Sequence, residues 1–310
     1  MTALDQITGK PLGKPLVVAG IPAFNVEQTI SKLVLETQKY ADIVLVCDDG
    51  STDMTAEIAK RVGATVVEHK KNMGYGAAIK TLFITARDLN ADVLVTLDGD
   101  GQHDPSEIPR LIEPVLENKA DVVLGSRFLD TKKNGVPRYR CLGIKLISKV
   151  TGAASNHNFN DAQCGFRVYG NKALNELDLI ENGMGLSVEI LFKAKKQDLT
   201  VAEVPVKCEY KELEKTSTHN AVGHGVGVLM SIIRLVVEDR PLLFLGLPGI
   251  LSLLVGASFG VWMLQIYAAT HQITTNIALA AIAFVLIGMF AIFTAITLYA
   301  ISRQTQKNGN

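Results

Sequence analysis

The stretch Asp-Ile-Val-Leu-Val-Cys-Asp-Asp-Gly-Ser-Thr-Asp, residues 42–53, sets the reading of the chain around it. Its unbroken apolar run reads as a buried strand over Asp42–Cys47, stopped by Asp48-Asp49-Gly50. Thr52–Val62 then carries helical spacing. The same strand–turn–helix unit recurs on both sides. Upstream, Leu16–Ile21 is a short apolar run ended by Pro22, and Val26–Lys39 is a helix with Asn25 expected as its N-cap. Downstream come a strand over Ala64–Glu68, a helix over Gly74–Asn90 and a strand over Asp92–Leu97. A helix over Pro105–Asn118, with proline in its first turn, precedes a strand over Ala120–Gly125. Such alternation predicts an α/β fold, Rossmann-like, with a mostly parallel sheet covered by helices. Ligands of such sheets bind beyond the carboxyl ends of the strands. The loops after Ile21, Cys47, Glu68 and Leu97 are therefore the expected site.

Past residue 125 the regularity fades. Phe166–Tyr169 and Val201–Val206 read as further strands, with a helix over Leu186–Lys196 between them. Arg127–Lys149 holds seven basic residues against one acid, Asp130. Gly223–Val237 is apolar and glycine-rich.

The 310 residues balance 31 Lys plus Arg against 31 Asp plus Glu, which excludes a wholesale polyanion binder and a highly charged disordered chain. The mean hides two populations. Pro241–Ser302 contains no Asp, Glu, Lys or Arg in 62 residues. Leu242–Tyr267 and Ile277–Ser302 are each long enough to span roughly 30 Å of hydrocarbon. Arg240 precedes the pair, and Arg303 and Lys307 follow it, so the positive-inside rule puts both outer ends in the cytosol. The expected organisation is a cytosolic catalytic domain over 1–215, an interfacial amphipathic linker over 216–240, two membrane spans over 241–302 and a cytosolic tail over 303–310. Gly256, Ala257 and Gly260 offer a close helix–helix contact. The cysteines 47, 141, 164 and 208 are scattered and form no C-x-x-C pair, so buried free thiols in a reducing compartment are expected. The first fifteen residues lack an apolar stretch, and no leader is expected.

Three motifs carry chemistry. In Leu97-Asp98-Gly99-Asp100-Gly101-Gln102-His103-Asp104, two carboxylates two residues apart sit at the end of an apolar strand. One turn can aim both at a hard cation, Mg²⁺ or Mn²⁺, that keeps other positions for diphosphate oxygens and water. An Asp/Gly-rich turn is the plainer alternative. In Asp48-Asp49-Gly50-Ser51-Thr52-Asp53, carboxylates can accept from a ribose or a base edge. The plainer reading is a turn glycine with Ser51 or Thr52 capping a helix. Asn72–Ala78 opens a helix with small residues, and its free N–H groups suit an anion. His69, His157, His219, His224 and His271 read as surface or structural residues; His103 stays open.

Taken together and in this order, Pro22-Ala23-Phe24-Asn25, Asp48–Asp53, Asn72–Ala78 and Asp98–His103 resemble family 2 glycosyltransferases of the GT-A fold. Asp161-Ala162-Gln163-Cys164-Gly165-Phe166-Arg167 resembles the same family's acceptor-side motif. The membrane hairpin narrows the resemblance to polyprenyl- or dolichyl-phosphate hexosyltransferases, and it covers essentially the whole chain. The resemblance implies that Pro22, Ala23, Asn25, Asp48, Asp49, Gly50, Ser51, Asp53, Gly74, Asp98 and Gly99 hold the nucleotide-sugar. It implies Asp98, Asp100 and Gln102 at the metal, and Asp98, Asp100, Asp161 and Arg167 as catalytic groups, with Asp161 acting as a base if the acceptor is a hydroxyl and orienting Arg167 or the sugar if it is a phosphate. The family usually has Tyr at 24, Glu at 26 and Ser at 164, where this chain has Phe, Val and Cys. A processive-synthase Gln-x-x-Arg-Trp is missing, and the only tryptophan, Trp262, lies in a span.

The basic run then gains a purpose. Arg127, Arg138, Arg140 and Lys145 are expected to hold a lipid phosphate, since guanidinium forks match phosphate oxygens. A solvated face touching anionic lipid is the alternative. The expected reaction is transfer of a hexose from a nucleotide-sugar to dolichyl or polyprenyl phosphate, with inversion, at the cell membrane. UDP-sugars are favoured over GDP-mannose. Nucleic acid is not an expected partner, and a homo-oligomer is left open. Two alternatives stand beside this: transfer to a hydroxyl of a lipid-linked saccharide, and a membrane-tethered binding protein with a dead transferase domain.

Overall fold

The computed structural model describes residues 14–129, 144, 148, 159–208, 237 and 241–308, with side chains described as far as Ile301. Arg138, Arg140, Lys145, Cys141, His157, His219, His224 and all of Gly223–Val237 except Val237 lie outside the described residues. The chain divides into two compact units, Met1–Ile232 and Ile233–Asn310.

The first unit alternates strands and helices: β1 (Val17–Ala23), α1 (Glu27–Thr37), β2 (Ile43–Asp48), α2 (Thr55–Arg61), β3 (Thr65–Glu68), α3 (Tyr75–Asp88) and β4 (Val93–Thr96). A 3₁₀ turn over Pro105–Glu107, capped by the Asp104 carboxylate on Ser106 N, leads into α4 (Ile108–Leu116) and β5 (Val122–Ser126). Then follow β6 (Arg167–Gly170), α5 (Asn171–Glu176), α6 (Leu186–Lys196) and β7 (Val201–Pro205). The seven strands form one sheet in the order β3-β2-β1-β4-β6-β5-β7.

Alternate residues of each strand enter opposite cores, as the two-residue period requires. Val18, Leu45 and Leu94 join Leu82 and Phe83 of α3 and Ile190 of α6 on one face. Ala19, Val46 and Val95 join Ile30 and Val34 of α1 and Leu111 of α4 on the other. The helices cover both faces, so β1, β2, β4 and β5 read as mostly apolar runs.

The sheet is mostly parallel, as expected, with one antiparallel strand. β6 runs antiparallel to both β4 and β5, pairing Arg167 with Thr96 and with Leu124. Residues 161–166, which lead into β6, therefore arrive at the end of the sheet where β4 and β5 finish.

The second unit holds a single turn of π-helix at Leu242–Gly246, then α7 (Leu247–Thr270) and α8 (Thr275–Asn308). Leu242–Thr270 and Thr275–Ile301 are long and apolar enough to cross a membrane, with mean hydropathy 2.1 and 2.7. Few of their side chains are buried, unlike the core helices of a soluble protein. The hairpin closes on small residues. A Cβ on Gly288 would lie 2.7 Å from Gly249 O, and one on Gly256 would lie 2.9 Å from Val285 N. Ser252 Oγ donates across the pair to Phe284 O at 2.7 Å. Of the expected contact residues Gly256 is at this interface, but nothing stands within 4 Å of a Cβ on Gly260.

Candidate active site

Three loops at the carboxyl ends of β1, β2 and β3 are tied into one platform. Asp49 N donates to Ala23 O at 2.8 Å. Asn25 adopts a left-handed φ of 53°; its N–H donates to Ser51 Oγ at 2.9 Å and its Oδ1 accepts from Thr52 N at 2.8 Å. This corrects the expected N-cap: Val26 precedes α1, and Asn25 binds the neighbouring loop instead. Asp53 accepts from Thr55 N at 3.0 Å and Glu27 N at 3.2 Å, so it caps α2, which starts later than expected, and braces α1. Asp49 accepts from Met73 N at 2.9 Å and Gly74 N at 2.8 Å. The carbonyl of Asn182 accepts from Ala77 N at 3.2 Å. The Asn72–Ala78 turn therefore does not offer Gly74 N–H to an outside anion as the sequence suggested; the anion there is the protein's own Asp49. Gly50 (φ +74°) is needed at its place, since a Cβ would lie 2.5 Å from the Lys71 carbonyl carbon.

Asp48 differs from its neighbours. It is 3% exposed, and Oδ2 accepts from Ser51 N at 3.1 Å, while Oδ1 has no partner among the described residues. A buried carboxylate oxygen without a donor is costly unless a ligand supplies one.

Beyond β4, Gly99 packs on the Pro22 carbonyl, which a Cβ would approach to 2.9 Å, and its own carbonyl accepts from Thr29 Oγ1 at 2.7 Å. These contacts fix the turn that carries Asp98 and Asp100. The Asp98 side chain is 34% exposed, and His103 Nε2 stands 3.7 Å from its Oδ2. Desolvation pushes the Asp98 carboxyl up, but the His103 imidazole and the charges of Arg127 and Arg167 outweigh it, leaving the group below its ordinary value. Desolvation and the charge of Asp98 raise Asp100, although Gln102 N donates to its Oδ1 at 3.0 Å. Two neighbouring carboxylates with open oxygens that repel each other fit a divalent hard cation, the group the sequence implies here. The Gln102 Oε1 accepts from Cys208 Sγ at 3.6 Å. His103 is buried against the Phe166 ring at 5.1 Å, and its Nδ1 has no partner among the described residues. Tyr75, which opens α3, went unnoticed in the sequence. Burial and then the charge of Asp98 push its phenol well above its ordinary value, so it stays protonated beside the pair.

The antiparallel β6 delivers the third motif. A Cβ on Gly165 would lie 2.3 Å from Asp98 Oδ1, so the bare glycine backbone forms the wall against which that carboxylate rests. Asp161 is fully buried and forms a two-pronged ion pair with Arg127, Nε to Oδ2 at 2.6 Å and Nη2 to Oδ1 at 2.8 Å. It also accepts from Arg127 N at 3.2 Å and Gln163 N at 3.3 Å. The expected Asp161–Arg167 partnership is corrected: Asp161 orients Arg127. Arg167 is 2% exposed and donates to the carbonyls of Cys164, Ser187 and Ala162 at 2.7–3.0 Å. It shapes the wall and lends Asp98 its field instead of facing an open cleft.

Comparison with known proteins follows the same lines. Residues 19–178 match the family described as glycosyl transferase family 2. The UDP-N-acetylglucosamine–dolichyl-phosphate N-acetylglucosaminyltransferase of Methanococcus voltae is 32% identical over 219 residues, covering 64% of this chain and 87% of its own. The dolichyl-phosphate hexose transferase of Haloferax volcanii is 27% identical, covering 70% of this chain and 92% of its own. Among solved structures, glucosyl-3-phosphoglycerate synthase from Mycobacterium tuberculosis with Mn²⁺, UDP and phosphoglyceric acid shares the fold, at TM-score 0.56 and 18% identity over 76% of this chain and 82% of its own.

Proposed function

The chain belongs to glycosyltransferase family 2, and from that premise we propose that it transfers a hexose from a nucleotide-sugar to dolichyl or polyprenyl phosphate at a membrane. An oxygen of the acceptor phosphate attacks C1 of the sugar, the C1–O bond to the nucleoside diphosphate breaks, and the electron pair leaves with the diphosphate. Attack opposite the leaving group inverts C1.

The observation that carries this reading is the state of Asp161. A hydroxyl acceptor needs a base to remove its proton, and Asp161 was the residue expected to do so. Both its oxygens are engaged, with Arg127 on each of them, and none of its surface is open. A phosphate monoester needs no such base, since its second pKa is about 6 and it is largely ionised near neutral pH. The charge of the Arg127 guanidinium is felt at Asp98, and an anionic acceptor there gains from it. Arg127, with Arg138, Arg140 and Lys145, is the proposed acceptor grip.

On the donor side, the open oxygen of Asp48 is suited to a ribose or base donor, and the tied loops of Pro22–Asn25 and Gly50–Asp53 provide a rigid floor. Asp98 and Asp100, with Gln102 beside them, would hold Mg²⁺ or Mn²⁺, which stabilises the charge gathering on the departing diphosphate. The Methanococcus voltae relative, named for UDP-N-acetylglucosamine, and the UDP-bound fold neighbour support a UDP-sugar, with GDP-mannose as the competitor. The two apolar helices are the proposed membrane anchor, with the catalytic unit on the cytosolic side. Neither span carries an Asp, Glu, Lys or Arg that a transport path would need.

The test is purified protein with dolichyl phosphate, Mn²⁺ and a panel of radiolabelled sugar nucleotides. The expected product is an acid-labile sugar–phosphoryl lipid. An acid-stable glycoside would transfer the assignment to a hydroxyl acceptor, and no transfer with any donor would favour a binding protein.

A further inference from the structure

His69 follows β3 and lies away from the carboxylate pair, and no step above uses it. Its side chain is 10% exposed, and Nδ1 stands 2.6 Å from Asp49 Oδ1. Nε2 stands 2.9 Å from Thr81 Oγ1 on α3 and 3.6 Å from Cys47 Sγ on β2. A carboxylate only accepts, so Nδ1 carries the hydrogen and donates to Asp49, and Nε2 shares a hydrogen bond with the Thr81 hydroxyl. The Cys47 thiol, pushed up to about 12 by burial and by Asp49, stays protonated and adds no competing charge.

Asp49 is the hub of this cluster. Its carboxylate is 5% exposed and joins the loop after β2 to the start of α3 through Met73 N and Gly74 N. Its own N–H joins the same loop to β1 through Ala23 O. Among the described residues His69 is the one side-chain donor to this buried anion. The next residue, Gly50, is pressed on the backbone of Lys71 and Asn72, so the two loops cannot slide independently.

We infer that His69 is a positioning residue for the nucleoside diphosphate: by donating to Asp49 it fixes the loop from which the unpartnered Asp48 Oδ1 faces the nucleoside. The inference rests on the nucleotide-sugar reading above. Without the imidazole, the buried Asp49 carboxylate keeps two backbone donors and loses its charge-assisted side-chain partner. The loop after β2 then loses its tie to the residue that follows β3, and Asp48 loses its aim. The carboxylate pair on the β4 turn is braced separately, by Thr29 and Pro22, and keeps its place.

The experiment compares full-length wild type, His69→Ala and His69→Asn, with UDP and GDP as probes, each with Mn²⁺. An asparagine amide reaches the position of Nδ1 and restores the donor to Asp49 without the contact to Thr81. For His69→Ala, calorimetric Kd for the tighter nucleotide and KM for its sugar are expected to rise about tenfold or more, with kcat nearly unchanged. His69→Asn is expected to recover most of that loss. Nucleotide affinity unchanged in both variants, or a fall in kcat at constant KM, would overturn the inference while leaving the transferase reading intact. Equal loss in Asn and Ala would also overturn it, because the donor to Asp49 would then not matter. If the alanine variant fails to fold, wild type against asparagine still decides: the inference requires near-native affinity in the latter. Wild type that binds neither nucleotide would remove the donor reading, and the inference with it.

Discussion

Gly165 has no side chain, and Asp98 fills the space where one would stand, with both carboxylate oxygens within 2.4 Å of a built Cβ. Gly165→Ala must therefore push the Asp98 carboxylate away from the wall or shift the backbone before β6. Mn²⁺ affinity should fall about tenfold to a hundredfold, as for other changes that displace a ligand's support, and a Mn²⁺ titration followed by electron paramagnetic resonance reads it. Unchanged affinity would show that Asp98 does not hold the ion. The neighbouring carboxylate gives a prediction with two opposite signs. Desolvation and the charge of Asp98 raise Asp100 above its ordinary value, so at neutral pH its ionised form costs the metal-free fold stability. The sign follows: a carboxyl raised in the folded state is penalised above its unfolded value and relieved as pH falls. Asp100→Asn should remove most activity yet raise the melting temperature in chelator at pH 7, while the gain disappears toward pH 4. Full activity in that variant, or in wild type with chelator, would sink the metal assignment.

At the scale of elements, α6 does more than cover the sheet. Glu189 on its buried face is 2% exposed and accepts from Ile180 N at 2.9 Å and Glu181 N at 2.8 Å, with Lys193 beside it at 2.8 Å. It anchors the loop whose Asn182 carbonyl accepts from Ala77 N in the first turn of α3, the helix whose preceding residues Met73 and Gly74 donate to Asp49. Gly76 belongs to the same junction, where a Cβ would meet Glu181 O at 2.6 Å. Glu189→Gln keeps the shape but weakens bonds to a charged acceptor, a loss of about 1–3 kcal/mol. Faster amide exchange should be confined to residues 180, 181 and 77, with a melting temperature several degrees lower. Uniformly faster exchange across the sheet would mean that the loop and the core open as one unit.

Over the whole molecule, the groups assigned to donor and metal all lie between Pro22 and Gln102, within the unit Met1–Ile232. That unit has its own two-sided core, and the apolar hairpin has its own close contacts at Gly249, Gly256 and Gly288. A protein ending at Ile232 should stay soluble, fold, and bind nucleotide with Mn²⁺ as tightly as the full chain. Its transfer to a long-chain lipid phosphate in vesicles should fall sharply, since the anchor that concentrates it at the bilayer is gone. A folded truncation that binds no nucleotide in calorimetry would contradict this separation of roles.

Periodicity alone disclosed most elements of the first unit, because strands buried on both faces are unbroken apolar runs and the helices between them are amphipathic. The Leu186–Lys196 helix emerged with the predicted bounds. The two apolar helices were as plain, since 62 residues without a charge admit few other uses. Residue type also singled out Asp98 and Asp100 correctly as neighbours on one turn. What the sequence could not disclose was direction and partnership. Nothing local marks β6 as antiparallel; its pairing with β4 and β5 shows it, and it brings Gly165 against Asp98. Which carboxylates face outward was equally hidden. Asp48 and Asp49 are chemically identical and adjacent in sequence. One has both oxygens engaged by His69, Met73 and Gly74 and the other keeps an oxygen open, because hydrogen-bond partners far along the chain are assigned only when the loops meet in space.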